Sequence, residues 1–299
     1  MKKQLALCLA AALLLGCLAG CRQAPPAEES DPPQEALFTR DTLPRLDGST
    51  ANIPLALLML QRVTDLSAEE ADALVDFSTT PYAYSALVAG NADLLLVYEA
   101  DETMKAALAS SDVKLESHII GYDALVFLTN TGNPVVGLTT TQIQDIYQGK
   151  ITNWSEVGGE NKSIEAYQRP QLSGSQALMI KLVMGDLPLM EAPVDRYPHE
   201  MSGLIDVLAT YNNTANALGY SVYYYAQNMY STPDLKMLAV DGVQPDNTTI
   251  ADGSYPFVNP FFAIIRADEP EDSPARQMLA WIQSPEGRQT ILDAGYVAA

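Results

Sequence analysis

Arg169 stands four residues ahead of a Ser173-Gly174-Ser175 step that opens a short helical pattern running from Ala177 to Gly185. All of these groups are hydrogen-bond donors. A guanidinium offers a planar fork of N–H bonds, each serine adds a hydroxyl, and the first N–H groups of a helix have no partner within it. Gly174 lets another group approach the backbone closely. A second set of the same kind is Ser49-Thr50, ahead of an apolar run with helical spacing at Ile53, Leu57 and Leu60. Asp47 to Thr50 read as the cap of that helix, and Pro54 is tolerable there only within its first turn. Donors of this kind hold anions. Each also has a plainer reading: Arg169 as one half of a surface salt bridge, and the serines as helix caps.

The rest of the composition narrows the choice. Thirty-seven acidic against 17 basic residues give a formal charge of −20, which argues against a nucleic-acid partner, whose phosphates demand a basic footprint. Any anion must therefore be held by local dipoles and a few cations and not by the overall field. The three cysteines, Cys8, Cys17 and Cys21, all lie near the amino terminus, so disulfides, cysteine-based zinc sites and catalytic thiols are excluded from the body. His118 and His199 are the only histidines and read as surface or helix-end residues. No cofactor or metal is called for, and no HExxH, GxSxG, P-loop or dinucleotide fingerprint is present. A hydrolase using two cleft carboxylates needs no local motif and stays open on these grounds, with turnover as its signature.

Met1-Lys2-Lys3 followed by an apolar run bounded by small residues reads as a secretory signal over residues 1–20. Leu18-Ala19-Gly20-Cys21 resembles the lipobox of bacterial lipoproteins, which makes Cys21 the expected lipidation site. Residues 21–36, rich in Pro and Glu, read as a flexible tether. The expected location is the outer face of the cell membrane, held by the lipid.

About 260 of the 299 residues remain, enough for one large domain or two ordinary ones. Strand-like apolar runs alternate with helical patterns, which predicts an α/β architecture. Residues 73–80 (ALVDFSTT) read as a strand and loop, 82–90 as a short helix closed by Gly90 and Asn91, and 92–99 as a buried strand. Residues 119–130 form a strand long enough to cross between two lobes. Then come a helix at 140–150, a Gly-rich turn at 151–163, and a strand at 164–169 that delivers Arg169.

The run NTGNPVVGLTTTQIQDIYQGKITNWSEVGGENKSIEAYQRPQLSGSQ resembles the phosphate-binding proteins of bacterial phosphate ABC transporters. These have an asparagine-proline start, a GKITNW core and an arginine followed by Gly-Ser-Gly-Thr. DGSTANIPLA is similar to their first ligand loop, ALGYSVYYYAQN to their Ile-Gly-Tyr strand, and residues 274–297 to their closing helices. The resemblance implies a type II periplasmic-binding-protein fold: two lobes, each a sheet flanked by helices, closing by a hinge on a ligand in the cleft. We expect one lobe at 37–120 plus 256–299 and the other at 121–255, with residues 119–130 and 256–268 as the crossing strands.

The same resemblance implies a solute-binding lipoprotein, not an enzyme, that captures phosphate or a similar oxyanion for ABC permease subunits. Ser49 and Thr50 would face Ser173, Gly174 and Ser175 across the cleft, with Arg169 supplying the charge. The chain departs from the family pattern in places. Leu172 replaces a usual glycine and Ser175 a usual threonine. Tyr98, Glu99 and Asp101 occupy the position of the family's Asp-Ile-Gly-Ser type of segment. Glu99 there has two readings. It either accepts a hydrogen bond from a protonated phosphate oxygen, which sulfate would leave unmade at about 1–3 kcal/mol, or is a solvated strand-end residue. In the loop Phe77 to Tyr82, Ser78, Thr79 and Thr80 keep hydroxyl donors, while Tyr82 and Tyr84 add bulk that suits a larger or partly organic anion. Tyr220, Tyr223, Tyr224 and Tyr225 invite a sugar-stacking reading, but strand propensity explains them more simply. The competing function is a ligand sensor or surface scaffold on the same fold.

Overall fold

The computed structural model describes residues 36–170, 173–192, 216–229 and 231–299. The expectations for the signal, the tether, Cys21, Leu172 and His199 lie outside the described residues.

Among the described residues the strands are β1 Leu46–Gly48, β2 Leu94–Tyr98, β3 Leu115–Asn130, β4 Gly137–Leu138, β5 Glu165–Ala166, β6 Ala217–Val222, β7 Leu235–Met237, β8 Ala239–Val240, β9 Val258–Arg266 and β10 Val297–Ala298. The main sheet runs β1-β2-β9-β3-β6-β5, with β7 and β10 also pairing with β3, while β4 and β8 form a separate parallel pair. β3 is the long element. Its first part, Leu115 to Ala124, lies antiparallel to β9, and the stretch from Leu125 to Asn130 pairs with β6 and β7.

The cores divide along the same strand. Leu94 and Leu96 of β2 face one apolar cluster with Leu55, Met59, Phe261 and Met278, and Leu95 and Val97 face another with Tyr84 and Leu87. Both faces of β2 are covered, which is why its sequence is a continuous apolar run and not an alternating one. A third cluster gathers Leu125 to Leu128 with Tyr147, Trp154, Met179 and Tyr220. Helices α1 Ile53–Val63, α2 Ala68–Asp72, α3 Thr80–Val88, α4 Glu102–Ala109, α5 Thr140–Tyr147 and α6 Gly174–Leu178 cover the sheet faces or border the cleft. Among the described residues, no helix is long and apolar enough to cross a membrane.

Local chemistry sets most helix starts. Thr139 and Gln142 make a reciprocal capping box at α5, and Gly149, at φ 76°, ends the turn beyond it. The GKITNW segment is a packing device. Asn153 caps a 3-10 turn at Trp154–Val157, Gly158 closes it at φ 87°, and the buried Trp154 indole donates to Asn216 O at 2.9 Å.

One element departs from expectation. Residues 73–79 form no strand. Asp47 intercepts that segment: its carboxylate accepts from Ser78 N at 2.8 Å and Ser78 Oγ at 2.7 Å, and Thr79 N alone reaches a strand carbonyl, Gly48 O at 3.1 Å. A side chain thus takes the place of the ladder. Phe77 is buried in the same core as β2.

Candidate functional site

The loop after β5 is tied down before it reaches the cleft. Tyr167 N donates to Leu218 O of β6 at 2.8 Å, extending the short pairing of β5. Arg169 N then donates to Gln176 Oε1 and to Tyr220 Oη, each at 3.1 Å, and Tyr220 Oη in turn donates to Gln176 Oε1. One glutamine of α6 and one tyrosine of β6 thereby fix the main chain of Arg169. The arginine is 6 % exposed. A guanidinium held so far from bulk water binds an anion more strongly than a solvated one.

At the start of α6, Ser173 is the cap residue, accepting from Gln176 N at 3.4 Å, and its hydroxyl lies 3.0 Å from that of Ser175. From the other side, Ser49 caps the 3-10 turn Thr50–Asn52, accepting from Ala51 N at 3.4 Å, and α1 follows with its proline in the first turn. Capping and cleft lining therefore coexist for both serines. Thr79 differs: it precedes α3 without making a side-chain cap, at φ 85° and ψ 155°. That backbone region is essentially a glycine one and costs of order 1–3 kcal/mol for another residue.

These residues line one cleft of about 810 Å³. Ser49, Thr50, Thr79, Thr80, Glu99, Arg169, Ser173, Gly174 and Ser175 all border it. Ser78, expected among the ligand contacts, does not border it: its hydroxyl and amide are spent on Asp47. Glu99 is on the cleft wall with both carboxylate oxygens engaged. Oε1 lies 2.8 Å from Lys105 Nζ, and Oε2 pairs with Lys181 beyond α6. The Lys105 ammonium, and then that of Lys181, holds the Glu99 carboxyl below its ordinary value.

Several cleft residues escaped the sequence reading. Lys181 falls seven residues after Gly174 and Leu178 four after it, the spacing of one helix face, so their side was readable. Asn259 is a lone polar residue within the apolar run of β9 and is 2 % exposed. Tyr98 sends its hydroxyl to Asp123, 3.2 Å away, a buried carboxylate whose desolvation pushes it up to about 6. Burial likewise raises the cleft-lining Tyr84 phenol to about 12. Tyr220, Tyr223 and Tyr224 are core residues as expected, with Tyr224 stacked on Tyr296 at 4.0 Å, but Tyr225 borders the cleft. His118 sits in β3 between Glu116 and Gln283. No group of three or more potential metal ligands occurs among the described residues.

A two-lobed α/β body whose cleft is ringed by hydroxyls, helix starts and one buried arginine offers a donor set suited to a small anion. A family-wide profile described as PBP superfamily domain matches residues 37–286, and the chain belongs to that superfamily. Among curated relatives, the phosphate-binding protein PstS of Bacillus subtilis is 24 % identical over 184 residues, 61 % of this chain and 57 % of its own length. The protein of the same name from Borreliella burgdorferi is 23 % identical over 205 residues, covering 64 % of this chain and 72 % of its own. Of solved structures, an ABC-type phosphate transport receptor from Vibrio cholerae aligns over 84 % of this chain and 98 % of its own, with a TM-score of 0.66 at 21 % identity. A putative phosphate ABC transporter substrate-binding protein with bound phosphate, from Clostridium perfringens, aligns over 85 % and 98 %, with a TM-score of 0.63 at 22 % identity. At such identities the structural likeness establishes the fold.

Proposed function

We propose that this chain is an extracytoplasmic solute-binding protein that captures phosphate and presents it to an ABC permease. The observation that carries this reading is the convergence of Arg169 with Ser173, Gly174 and Ser175 on one side of a cleft and Ser49, Thr50, Thr79 and Thr80 on the other. A tetrahedral oxyanion needs donors from several directions, and these supply them. The names of the relatives support the choice of phosphate among oxyanions.

Binding is reversible and non-covalent, and the protein turns nothing over. The lobes are residues 37–120 with 256–299 and residues 121–255, moving about β3 and β9, and the permease docks on the ligand-bound form. Cys21 carries the lipid that holds the protein at the outer face of the membrane, a reading supported by the Leu18-Ala19-Gly20-Cys21 run.

The test is titration calorimetry of the full chain in detergent, freed of ligand by unfolding and refolding, with phosphate, sulfate and arsenate. Phosphate binds and Arg169→Ala loses at least a hundredfold in affinity. Absence of heat with every oxyanion, or an Arg169→Ala variant that binds phosphate as well as the parent, overturns the reading.

A further inference from the structure

A ring of donors suits any tetrahedral oxyanion, so a choice among them needs an acceptor. Doubly charged hydrogen phosphate and sulfate share shape and charge and differ by one proton, which only an acceptor on the protein can read. The carboxylates that line the cleft are committed elsewhere: Glu99 to Lys105 and Lys181, Glu102 to Lys105, and Asp101 to Met104 N at 2.7 Å.

The strands supply what the loops do not. Tyr98 at the end of β2 and Asn259 of β9 both line the cleft. The Tyr98 hydroxyl donates its one hydrogen to Asp123, 3.2 Å away. Burial raises the Asp123 carboxyl only to about 6, so in alkaline water it is ionised and has no proton to return, while burial also keeps the Tyr98 phenol neutral. What Tyr98 Oη has left for the cleft is lone pairs. A neutral acceptor also spares a bound anion the repulsion of a carboxylate. Asn259 lies opposite Asp123 in the register of β3 with β9, is 2 % exposed, and makes no side-chain hydrogen bond among the described residues. An amide so buried calls for a partner, and the cleft is the side from which one can come.

The strands also place both residues against the donor ring. Ser49 N donates to Leu96 O at 2.9 Å, two residues and about 7 Å along the strand from Tyr98. Beside the same turn, Tyr296 Oη donates to Ala51 O at 2.6 Å and its ring stacks on Tyr224, whose N–H donates to Asp123. On the other lobe, Tyr220, which holds the Arg169 main chain, lies two residues before the cleft-lining Val222.

We propose that Tyr98 Oη accepts a hydrogen bond from the proton-bearing oxygen of the bound anion while the Asn259 amide donates to a neighbouring oxygen, so that Tyr98 selects phosphate over sulfate. This rests on the phosphate-binding reading above.

The experiment is calorimetric titration of the full chain in detergent, in mildly alkaline buffer, with inorganic phosphate, sulfate and monofluorophosphate, a dianion in which fluorine replaces the hydroxyl. The parent binds phosphate at least tenfold more tightly than either of the others. Tyr98→Phe lowers phosphate affinity at least tenfold and changes sulfate affinity less than threefold, whereas a purely structural role would weaken both anions together. Asn259→Ala weakens both alike, at least threefold. A parent preference below tenfold over either dianion overturns the proposal, as does equal loss of phosphate and sulfate in a folded Tyr98→Phe, or an Asn259→Ala that binds both as the parent does. Should Tyr98→Phe fail to fold, the monofluorophosphate result on the parent decides. In each of these failures the phosphate reading stands; if inorganic phosphate does not bind the parent at all, both fall.

Discussion

Tyr98 Oη lies 3.2 Å from Asp123 Oδ2, a bond between a phenol on the cleft wall and a carboxylate 1 % exposed. The other oxygen of Asp123 accepts from Ala124 N at 2.8 Å and Tyr224 N at 3.1 Å. One side chain therefore joins β2, β3 and the turn after β6 where β3 passes from one set of partners to the other. The cost is a buried charge, which raises the folded-state carboxyl to about 6 from an ordinary 3.8.

That shift fixes a sign. The folded protein binds this proton more tightly than the unfolded chain, so the group adds stability as pH falls through about 6, and the gain levels off below about 4. Asp123→Asn keeps the shape and removes the titration. Between about pH 8 and pH 4 the stability of the parent relative to the variant rises by on the order of 2–3 kcal/mol. Urea unfolding of both proteins across that range tests it, and a pH-independent difference sinks the idea.

Thr79 supplies a second case of stability set against function. Its φ of 85° suits glycine, and glycine's larger entropy loss on folding offsets only part of the relieved strain. Thr79→Gly stabilises by about 1 kcal/mol, whereas Thr79→Ala, which keeps the strain, does not. Both lose the cleft hydroxyl and bind phosphate several-fold more weakly. Thermal unfolding with calorimetry separates the two effects; an unstabilised glycine variant refutes the strain account.

These two residues show where sequence reading stops. The apolar runs of β2, β3 and β9 and the caps of α5 and α6 are local signals, and they gave strands and helices in the right order. The Arg169 and Ser173–Ser175 set was legible because its members are near neighbours on one loop. The absent strand at 73–79 depends on Asp47, some 30 positions earlier, and the strain at Thr79 depends on Gly48 beyond the same contact. The pairing of Tyr98 with Asp123 and of Glu99 with Lys181 joins residues that only the folded topology brings together.

Ser78 separates scaffold from site. Its hydroxyl bond to Asp47, 2.7 Å long, anchors the loop that precedes α3 but lies off the cleft. Ser78→Ala lowers stability by about 1.5–3 kcal/mol, the cost of one bond to a charged group. Phosphate affinity changes less than threefold, against at least tenfold for the cleft residue changed in Ser173→Ala. Equal losses of affinity in the two variants would place Ser78 in the site after all.

The pair between Glu99 and Lys181 has side chains 39 % and 47 % exposed, so water screens it and its contribution to folding is under about 1 kcal/mol. Its position gives it more leverage over binding than over folding, because it links the two walls of the cleft. A bias of about 0.5–1 kcal/mol toward the closed arrangement multiplies the residence time of a ligand about two- to fivefold. Lys181→Met therefore leaves the midpoint of thermal unfolding nearly unchanged while the phosphate off-rate rises about two- to fivefold, an effect that Glu99→Gln reproduces and that the double variant does not add to. Lys105 also pairs with Glu99, but it sits on the same wall and its removal should leave the off-rate alone. Stopped-flow release at low and high salt reads all five proteins. If the parent's slower release survives high salt, the cleft is held shut by something other than this ion pair.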